Sequence, residues 1–177
     1  MNEDEYKDVY QRVIGTKCVY EKTILLQFAQ CDHAEKRLLA EREAVNCSSE
    51  ACQFRCQKFL DVTRQNARFA LGQTQADEQL PHSKEVKVQA GGLFGLQQLL
   101  ENSDPINIEP LDDYNQRFNE QQKAIVNING CLEKAEQHYL NLDKFPYADI
   151  VKAILRFEVR KKRQRNKRDS TSRLRSS

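Results

Sequence analysis

Five of the six cysteines lie within thirty-nine residues of this chain, between Cys18 and Cys56. Three of them, Cys47, Cys52 and Cys56, lie within ten consecutive residues. If these thiols act together, the fold must bring segments that are distant in sequence to one place. The cysteine cluster therefore constrains the fold more than any other feature of the sequence.

Clustered cysteines in a reducing compartment indicate metal binding or redox chemistry, because thiols seldom form structural disulfides there. The first residues are acidic, and no apolar run approaches the roughly 20 residues needed to cross a bilayer. We therefore expect a cytoplasmic protein, or a nuclear one if the source is eukaryotic. A membrane partner is not expected.

Length and composition predict one domain with a tail. The 177 residues, of which 39% are hydrophobic and 31% charged, suffice for one modest core. The predicted fold class is mainly α, an antiparallel helical bundle with a disordered basic C-terminal tail. We expect a single helical domain over residues 1–157 and the tail over residues 158–177.

Helical periodicity predicts that the N-terminal part, residues 4–72, consists of three helices. Apolar residues recur at helical spacing in the first, and an acidic cap followed by Glu three positions later marks the start of the second. Serines can cap the third, and a glycine can terminate it. The three helices are expected at 4–29, at 33–45, and from Ser48 or Ser49 to Gly72.

Beyond this part, the apolar pattern loosens and then becomes regular again. Residues 73–110 are expected to form a loop-rich connection, in which the glycines of Gly91–Gly95 make a flexible turn that leads into a short apolar helix over residues 93–100. Residues 111–160 are expected to form the C-terminal helices, the last of them beginning at Pro146. Apolar residues alternate by three and four over 111–142, and such a heptad seam needs a packing partner.

An antiparallel arrangement of the first three helices brings four sulfur atoms to one end of the bundle. The metal ligands predicted on this basis are Cys18, Cys47, Cys52 and Cys56. Because Cys31 would lie at the opposite end, it is the less favoured substitute. Four thiolates suit tetrahedral zinc or an iron–sulfur cluster, and the spacing, which lacks a C-x2-C pair, does not choose between them.

Two other uses of the cysteines stay open at this stage: inert thiols buried in the core, and a reactive or disulfide-switching pair. Cys131 is not expected to join the site. The three histidines are too few to build a site alone, and no Ser/His/Asp set is recognisable. An enzyme is therefore the least supported class, and no small-molecule substrate is evident.

The C-terminal residues differ from the rest of the chain in charge. From Arg156 to Ser177 there are ten Lys or Arg residues and two acidic ones, a net charge of +8, whereas residues 1–155 carry −6. The cations expected to bind an anionic partner are Arg160, Lys161, Lys162, Arg163, Arg165, Lys167 and Arg168. Without aromatic residues between them, they predict non-specific, salt-sensitive contact with nucleic acid, or a tail that only aids solubility.

The function predicted from the sequence is that of a small cytoplasmic metal-binding protein. It would hold zinc or an iron–sulfur cluster through its N-terminal cysteines and dock to an anionic partner through its tail. The alternative is a metal-free helical adaptor, whose heptad seam over 111–142 binds a helix of a protein partner.

Overall fold

The structure is a computed structural model that describes residues 3–73, 80–103, 125 and 127–158. The elements, in chain order, are α1 (Glu3–Val13), α2 (Glu21–Leu25), β1 (Ala34–Leu39), β2 (Arg42–Cys47), α3 (Glu50–Ala67), α4 (His82–Ser103), α5 (Ile128–Tyr139), a 3-10 turn (Leu142–Lys144) and α6 (Tyr147–Arg156). Helices account for 63% of the described residues. The two strands form an antiparallel hairpin, in which Ala34 pairs with Cys47 and Leu39 with Arg42.

The prediction of an antiparallel helical bundle is wrong, because the N-terminal part contains a β-hairpin where its second helix was expected. Residues 33–45 supply β1 and most of β2 instead. The first expected helix is also divided, since α1 ends at Val13 and α2 has only five residues. Between them, Lys17 pairs with Asn46 and extends the sheet beyond β2.

Burial on both faces of β2 explains why a hairpin replaces the helix. Ala44 and Val45 are both fully buried, and successive side chains of a strand point to opposite faces. Val45 belongs to the main core, whereas Ala44 packs with Ile14 and Leu39 in a second, smaller core beside α1. A helix would set these two side chains only about 100° apart, so it could not fill both cores.

Local capping signals were read correctly at two other helices. Ser49 is the N-cap of α3, and its Oγ accepts a hydrogen bond of 3.3 Å from the backbone N–H of Cys52. Gly72 lies in the turn that follows α3 and has a φ of 68°, a conformation that glycine adopts without strain. α6 begins directly after Pro146, as predicted.

The helix α4 is the largest departure from the loop-rich connection expected over 73–110. It has 22 residues, and every residue from Val88 to Leu96 is buried. A helix that is covered on all sides has no apolar stripe, so its sequence carries no periodic signal. Although α4 is long, neither it nor any other helix among the described residues has the length and hydropathy to cross a membrane.

Glycines allow α4 and α6 to approach each other closely. A Cβ added to Gly91 would lie 2.8 Å from the Cα of Ile154, and one added to Gly95 would lie 2.8 Å from the Cβ of Ala153. Distances this short leave no room for a side chain, because backbone atoms cannot move aside cheaply. The stretch expected to be a flexible turn is therefore part of a tight helix–helix contact.

The residue after α6 joins three parts of the chain. Phe157 is fully buried. Its ring centroid lies 5.3 Å from that of Phe28, which follows α2, and 5.6 Å from that of Phe94 in α4. Aromatic pairs at such distances contribute stability beyond their buried area.

The heptad seam predicted over 111–142 is described only in its second half. In α5, Ile128 and Leu132 are fully buried in the main core, which α3 and α4 also line. This half of the seam therefore packs inside its own chain. Residues 104–124 and 159–177 lie outside the described residues.

Candidate functional site: the cysteine corner

All six cysteines are within the described residues, and all carry free thiols. Five of them come from segments that meet where the hairpin joins the start of α3. We call these five residues the cysteine corner: Cys18, Cys31, Cys47, Cys52 and Cys56. The backbone pairing around β2 and the capping of α3 decide how they come together.

The sheet places Cys18 beside Cys47. The backbone N–H of Cys18 donates to the carbonyl of Val45 over 3.0 Å, and that of Cys47 donates to the carbonyl of Thr16 over 2.7 Å. In this antiparallel register Cys18 lies opposite Val45, and Val45 and Cys47 are two residues apart on one strand. Residues in this relation share a face of the sheet as diagonal neighbours.

Cys31 lies at the same end of the hairpin, not at the opposite end of the molecule as the bundle predicted. Ala34, the residue opposite Cys47, donates its N–H to the carbonyl of Cys31 over 3.0 Å. The N–H of Ser48 donates to the carbonyl of His33 over 2.9 Å, which closes this end of the hairpin. The expectation failed because a hairpin returns the chain after six residues per strand, whereas the supposed helix would have carried it away.

The helix α3 contributes the remaining two thiols. Cys52 lies in its first turn and Cys56 one turn later, so the two side chains are on one side of the helix. Cys56 is 8% exposed, as is Cys18, and both belong to the main core. Cys31, Cys47 and Cys52 are partly buried.

Electrostatic coupling shows which thiols of the cysteine corner are close to one another. In all six pairs among four of them, an ionised thiol raises the pKa of its neighbour; these four are Cys18, Cys31, Cys47 and Cys56. Cys52 acts in this way on Cys47 and on Cys56. Each pair among these four thiols is therefore linked by at least one such effect, and Cys52 is linked to Cys47 and Cys56.

Burial is the largest cause of the raised pKa values in the cysteine corner. It raises the pKa of Cys18 to about 12, and it also raises the pKa values of Cys47 and Cys56. Loss of hydration disfavours the charged thiolate, so these thiols are protonated at neutral pH. They are poor nucleophiles in this state, which argues against a reactive thiol pair built from them.

Backbone amides oppose this effect at two of the sulfur atoms. A hydrogen bond from the backbone of Tyr20 lowers the pKa of Cys18, and hydrogen bonds from Ser49 and Gln53 lower that of Cys47. Ser49 and Gln53 lie at the start of α3, where the carbonyl of Ser49 accepts from the backbone N–H of Gln53 over 2.9 Å and from the Cys47 thiol over 3.2 Å. The corner therefore contains donors that would stabilise thiolates if a cation offset the cost of burial.

The thiols do not form a finished coordination shell. Within the described ranges, no three His, Cys, Asp or Glu side chains are grouped so that they could hold a metal ion. The histidine at this end of the hairpin, His33, has its Nδ1 3.2 Å from the Oγ of Ser48. The predicted ligands are thus brought to one corner without being arranged as ligands.

Cys131 is separate from the cysteine corner. It lies on α5, and burial raises the pKa of its thiol to about 12. The charges that act on it are those of Lys134 and Glu101, not those of other cysteines. It therefore offers a partly buried thiol against which the corner can be compared.

A buried polar network next to Cys18 was not indicated by the cysteine pattern. Thr23 Oγ1 donates to Gln89 Oε1 over 2.9 Å, and Gln89 Nε2 donates to Glu85 Oε1 over 2.6 Å. The guanidinium of Arg64 donates to both carboxylate oxygens of Glu85. The spacing of four residues between Glu85 and Gln89 was the available signal, but it lies in a segment predicted to be loop-rich.

Tyr20 holds a polar atom without a partner beside the same core. Its hydroxyl is buried and has no hydrogen-bond partner among the described residues. Burial is also the main reason why the pKa of Tyr20 is well above its usual value, and the thiolates of Cys56 and Cys131 raise it further. An unpaired buried hydroxyl costs free energy, so this part of the core is not optimised for stability alone.

The remaining predicted site residues, from Arg160 to Arg168, lie outside the described residues. Their binding to an anionic partner stays a prediction. Comparisons of this chain with protein-family models, with curated proteins and with solved structures gave no match.

Proposed function

We propose that the cysteine corner binds a thiophilic metal centre, either a zinc ion or an iron–sulfur cluster. The observation that supports this proposal is that backbone pairing and the capping of α3 bring cysteines from four separate segments of the chain to one end of the hairpin. Thiolates are the ligands that zinc and iron–sulfur clusters share. The proposed ligands are Cys18, Cys31, Cys47 and Cys56.

This set differs from the one that the sequence favoured, because Cys31 takes the place of Cys52. The hairpin returns Cys31 to the end of β2, where its thiolate acts on those of Cys47 and Cys56. Cys52 is coupled to the same two thiols and remains the substitute. The exchange makes a direct experimental distinction between the two ligand sets.

Metal binding would offset the free-energy cost of ionising the buried thiols of the corner. The ion requires thiolates, and its positive charge offsets both burial and the repulsion among them. The backbone amides of Tyr20 and Ser49 would then donate to ligand sulfurs, as outer-shell groups do in metal sites. Metal binding would require the cysteine side chains to change rotamer, because they are not grouped as ligands in the structure.

The role of such a centre depends on the metal. Zinc would tie the hairpin to α3 and stabilise the N-terminal part, whereas a cluster would transfer electrons. A reducing cytoplasmic location is part of this proposal, since the ligands must remain free thiols. Docking to an anionic partner through the basic tail would localise the protein, and this too is a proposal.

The metal-free adaptor has less support. Its seam needs exposed apolar residues, but Ile128 and Leu132 are fully buried within this chain. No observation on the described part of the seam favours a partner helix there. The experiment below separates the two functions because an adaptor requires no metal.

The test is the metal content of protein purified without oxygen from cells supplied with zinc and iron. We expect about one zinc per chain, or iron and sulfide with a brown colour. Substitutions Cys31→Ser and Cys56→Ser should remove the metal. Cys131→Ser, which removes a partly buried thiol outside the corner, is the matched control and should retain it.

Cys52→Ser decides between the ligand sets. Retention of metal in this variant and its loss in Cys31→Ser would support the set proposed above. The opposite pattern would restore the set predicted from the sequence. Wild-type protein without metal, or metal retained by every single variant, would contradict a metal centre at the cysteine corner.

A further inference from the structure

A cavity of about 530 Å³, lined mainly by polar residues, lies beside Cys18. Its walls come from the segment around α2, from α3, and from the start of α4. The volume is within the range of small-molecule sites. The cavity shares Cys18 with the cysteine corner, but its other lining residues are different.

The floor of the cavity is neutral and well bonded. Arg64 pairs with Glu85, which is only 7% exposed, and Glu85 also accepts from Gln89. Arg64 makes a second ion pair with Asp61 over 3.1 Å. Because these groups satisfy one another, they fix the shape of the floor and leave no charge there for a ligand.

The walls carry positive charge that has no such partner. Lys22 and Arg68 both line the cavity, and within the described ranges neither forms an ion pair. Lys17, the remaining lining cation, lies 3.9 Å from Glu21. Lys22 on α2 is exposed and Arg68 at the end of α3 is partly exposed, so both cations are available to an anion.

Two amide side chains are also available. Gln53 and Gln73 line the cavity, and the described residues provide no hydrogen-bond partner for either side chain. Gln73 is only 9% exposed, so bulk water does not replace the missing partner freely. Each amide offers both a donor and an acceptor.

We propose that this cavity binds a small organic anion through Lys22 and Arg68, with Gln53 and Gln73 bonding its polar body. The anionic group is a carboxylate or a phosphate, since a guanidinium binds either one with paired hydrogen bonds. The buried pair Arg64–Glu85 sets the depth of the site without contributing net charge. The proposal does not rest on the metal centre proposed above, although Cys18 belongs to the lining of the cavity and to the cysteine corner.

The probes are citrate and inorganic phosphate, titrated calorimetrically into the full chain at constant ionic strength with chloride as the reference salt. We expect saturable binding of at least one probe. Binding of citrate alone assigns a carboxylate site, binding of phosphate alone assigns a phosphate site, and binding of both supports the shared class. Failure of both probes to bind better than chloride would overturn the proposal.

The variant Arg68→Gln should weaken the bound probe by about tenfold or more, the loss expected for one charge-assisted hydrogen bond. Arg156→Gln removes an exposed arginine outside the cavity and is the matched control. Equal weakening in the two variants would mean that the effect is general electrostatics, which would contradict a site. Thermal unfolding without probe verifies that both variants fold.

Two further measurements keep this proposal separate from the metal centre. Cys31→Ser should bind the probe as wild type does, because Cys31 does not line the cavity. Arg68→Gln should retain the metal content of the wild type. Loss of probe binding in Cys31→Ser would show that the two sites are one.

Discussion

Two regions of the molecule differ in what they bury: the α4–α6 contact buries closely packed apolar groups, whereas the cysteine corner buries polar ones. The helix pair is dry and tight: Gly91 and Gly95 hold positions at which any side chain would collide with the facing helix. The corner buries groups that would be better hydrated, among them the thiols of Cys18 and Cys56. Nearby, the hydroxyl of Tyr20 is buried without a partner.

This difference indicates where stability and where function reside. Packing that excludes even a methyl group serves the fold, because it gains contacts and leaves no polar atom unpaired. Buried polar or ionisable groups that lower the stability of the folded state are candidates for a binding site, because selection for stability alone would not keep them. The comparison therefore favours the helix pair as scaffold and supports the corner as the candidate site proposed above.

Substitution of Gly91 should give the largest effect on stability. In Gly91→Ala the new methyl would lie 2.8 Å from the Cα of Ile154, which is backbone and cannot turn away. Overpacking of about 3 kcal/mol, less about 1 kcal/mol gained in helix propensity, predicts a net loss of about 2 kcal/mol. Urea denaturation measures the free energy of unfolding.

Gly15→Ala is the control for this prediction, since no atom lies within 4 Å of a Cβ added at Gly15. Its effect should be within about 0.5 kcal/mol. Equal losses in the two variants would mean that the α4–α6 contact is looser than described. The helix pair would then no longer contrast with the corner.

Alkaline pH should reveal the cost of burying thiols. The pKa of the Cys131 thiol is about 12 in the folded chain and near the ordinary cysteine value of 9.0 in the unfolded chain. A raised folded pKa gives stability that is complete below pH 9 and is lost as pH rises toward 12. Cys131→Ala should therefore make the decline in unfolding free energy shallower by about 1 kcal/mol per pH unit.

The same measurement sharpens the comparison when zinc is present. Thiols that become ligands are already deprotonated in the folded state, so the decline they cause should disappear with saturating zinc. The contribution of Cys131 should persist. If zinc leaves the pH dependence of wild type unchanged, the cysteine corner does not bind it.

Removal of the Tyr20 hydroxyl should have the smallest effect and the opposite sign. Tyr20→Phe deletes a buried polar atom that has no partner, so we expect the free energy of unfolding to rise by about 1 kcal/mol. Tyr147→Phe is the matched control. The hydroxyl of Tyr147 donates to the carbonyl of Leu142 over 2.8 Å, and its loss should cost about 1 kcal/mol.

Equal destabilisation in the two tyrosine variants would contradict this prediction. It would show that the Tyr20 hydroxyl takes part in an interaction that stabilises the folded protein. Thermal or urea unfolding of the paired variants is sufficient to decide.

Local signals in the sequence located the helices whose ends are capped by their own residues. Ser49 and Pro146 mark helix starts through interactions with immediate neighbours, so the sequence around them contains the information. The hairpin was missed because the residues over 33–45 favour a helix locally. Its stability comes from pairing and from burial of Ala44 and Val45 in separate cores, which no local pattern reports.

The candidate site was predicted in part for the same reason. The density of cysteines identified the region, but the choice of partners depended on topology. The error about Cys31 followed directly from the helix assigned in place of β1 and β2. The polar cavity could not be predicted from the sequence, because its lining residues come from α2, α3 and α4. Most of the helix α4 was itself missed, since its buried sequence has no periodic signal.

Phe157 has a practical consequence for handling the protein. Because its ring packs against those of Phe28 and Phe94, Phe157 holds the segment after α2 and the helix α4 against the end of α6. Fluorophores, affinity tags or surface attachments should be placed after Glu158. A truncation that removes Phe157 would loosen the packing of both the segment after α2 and the helix α4.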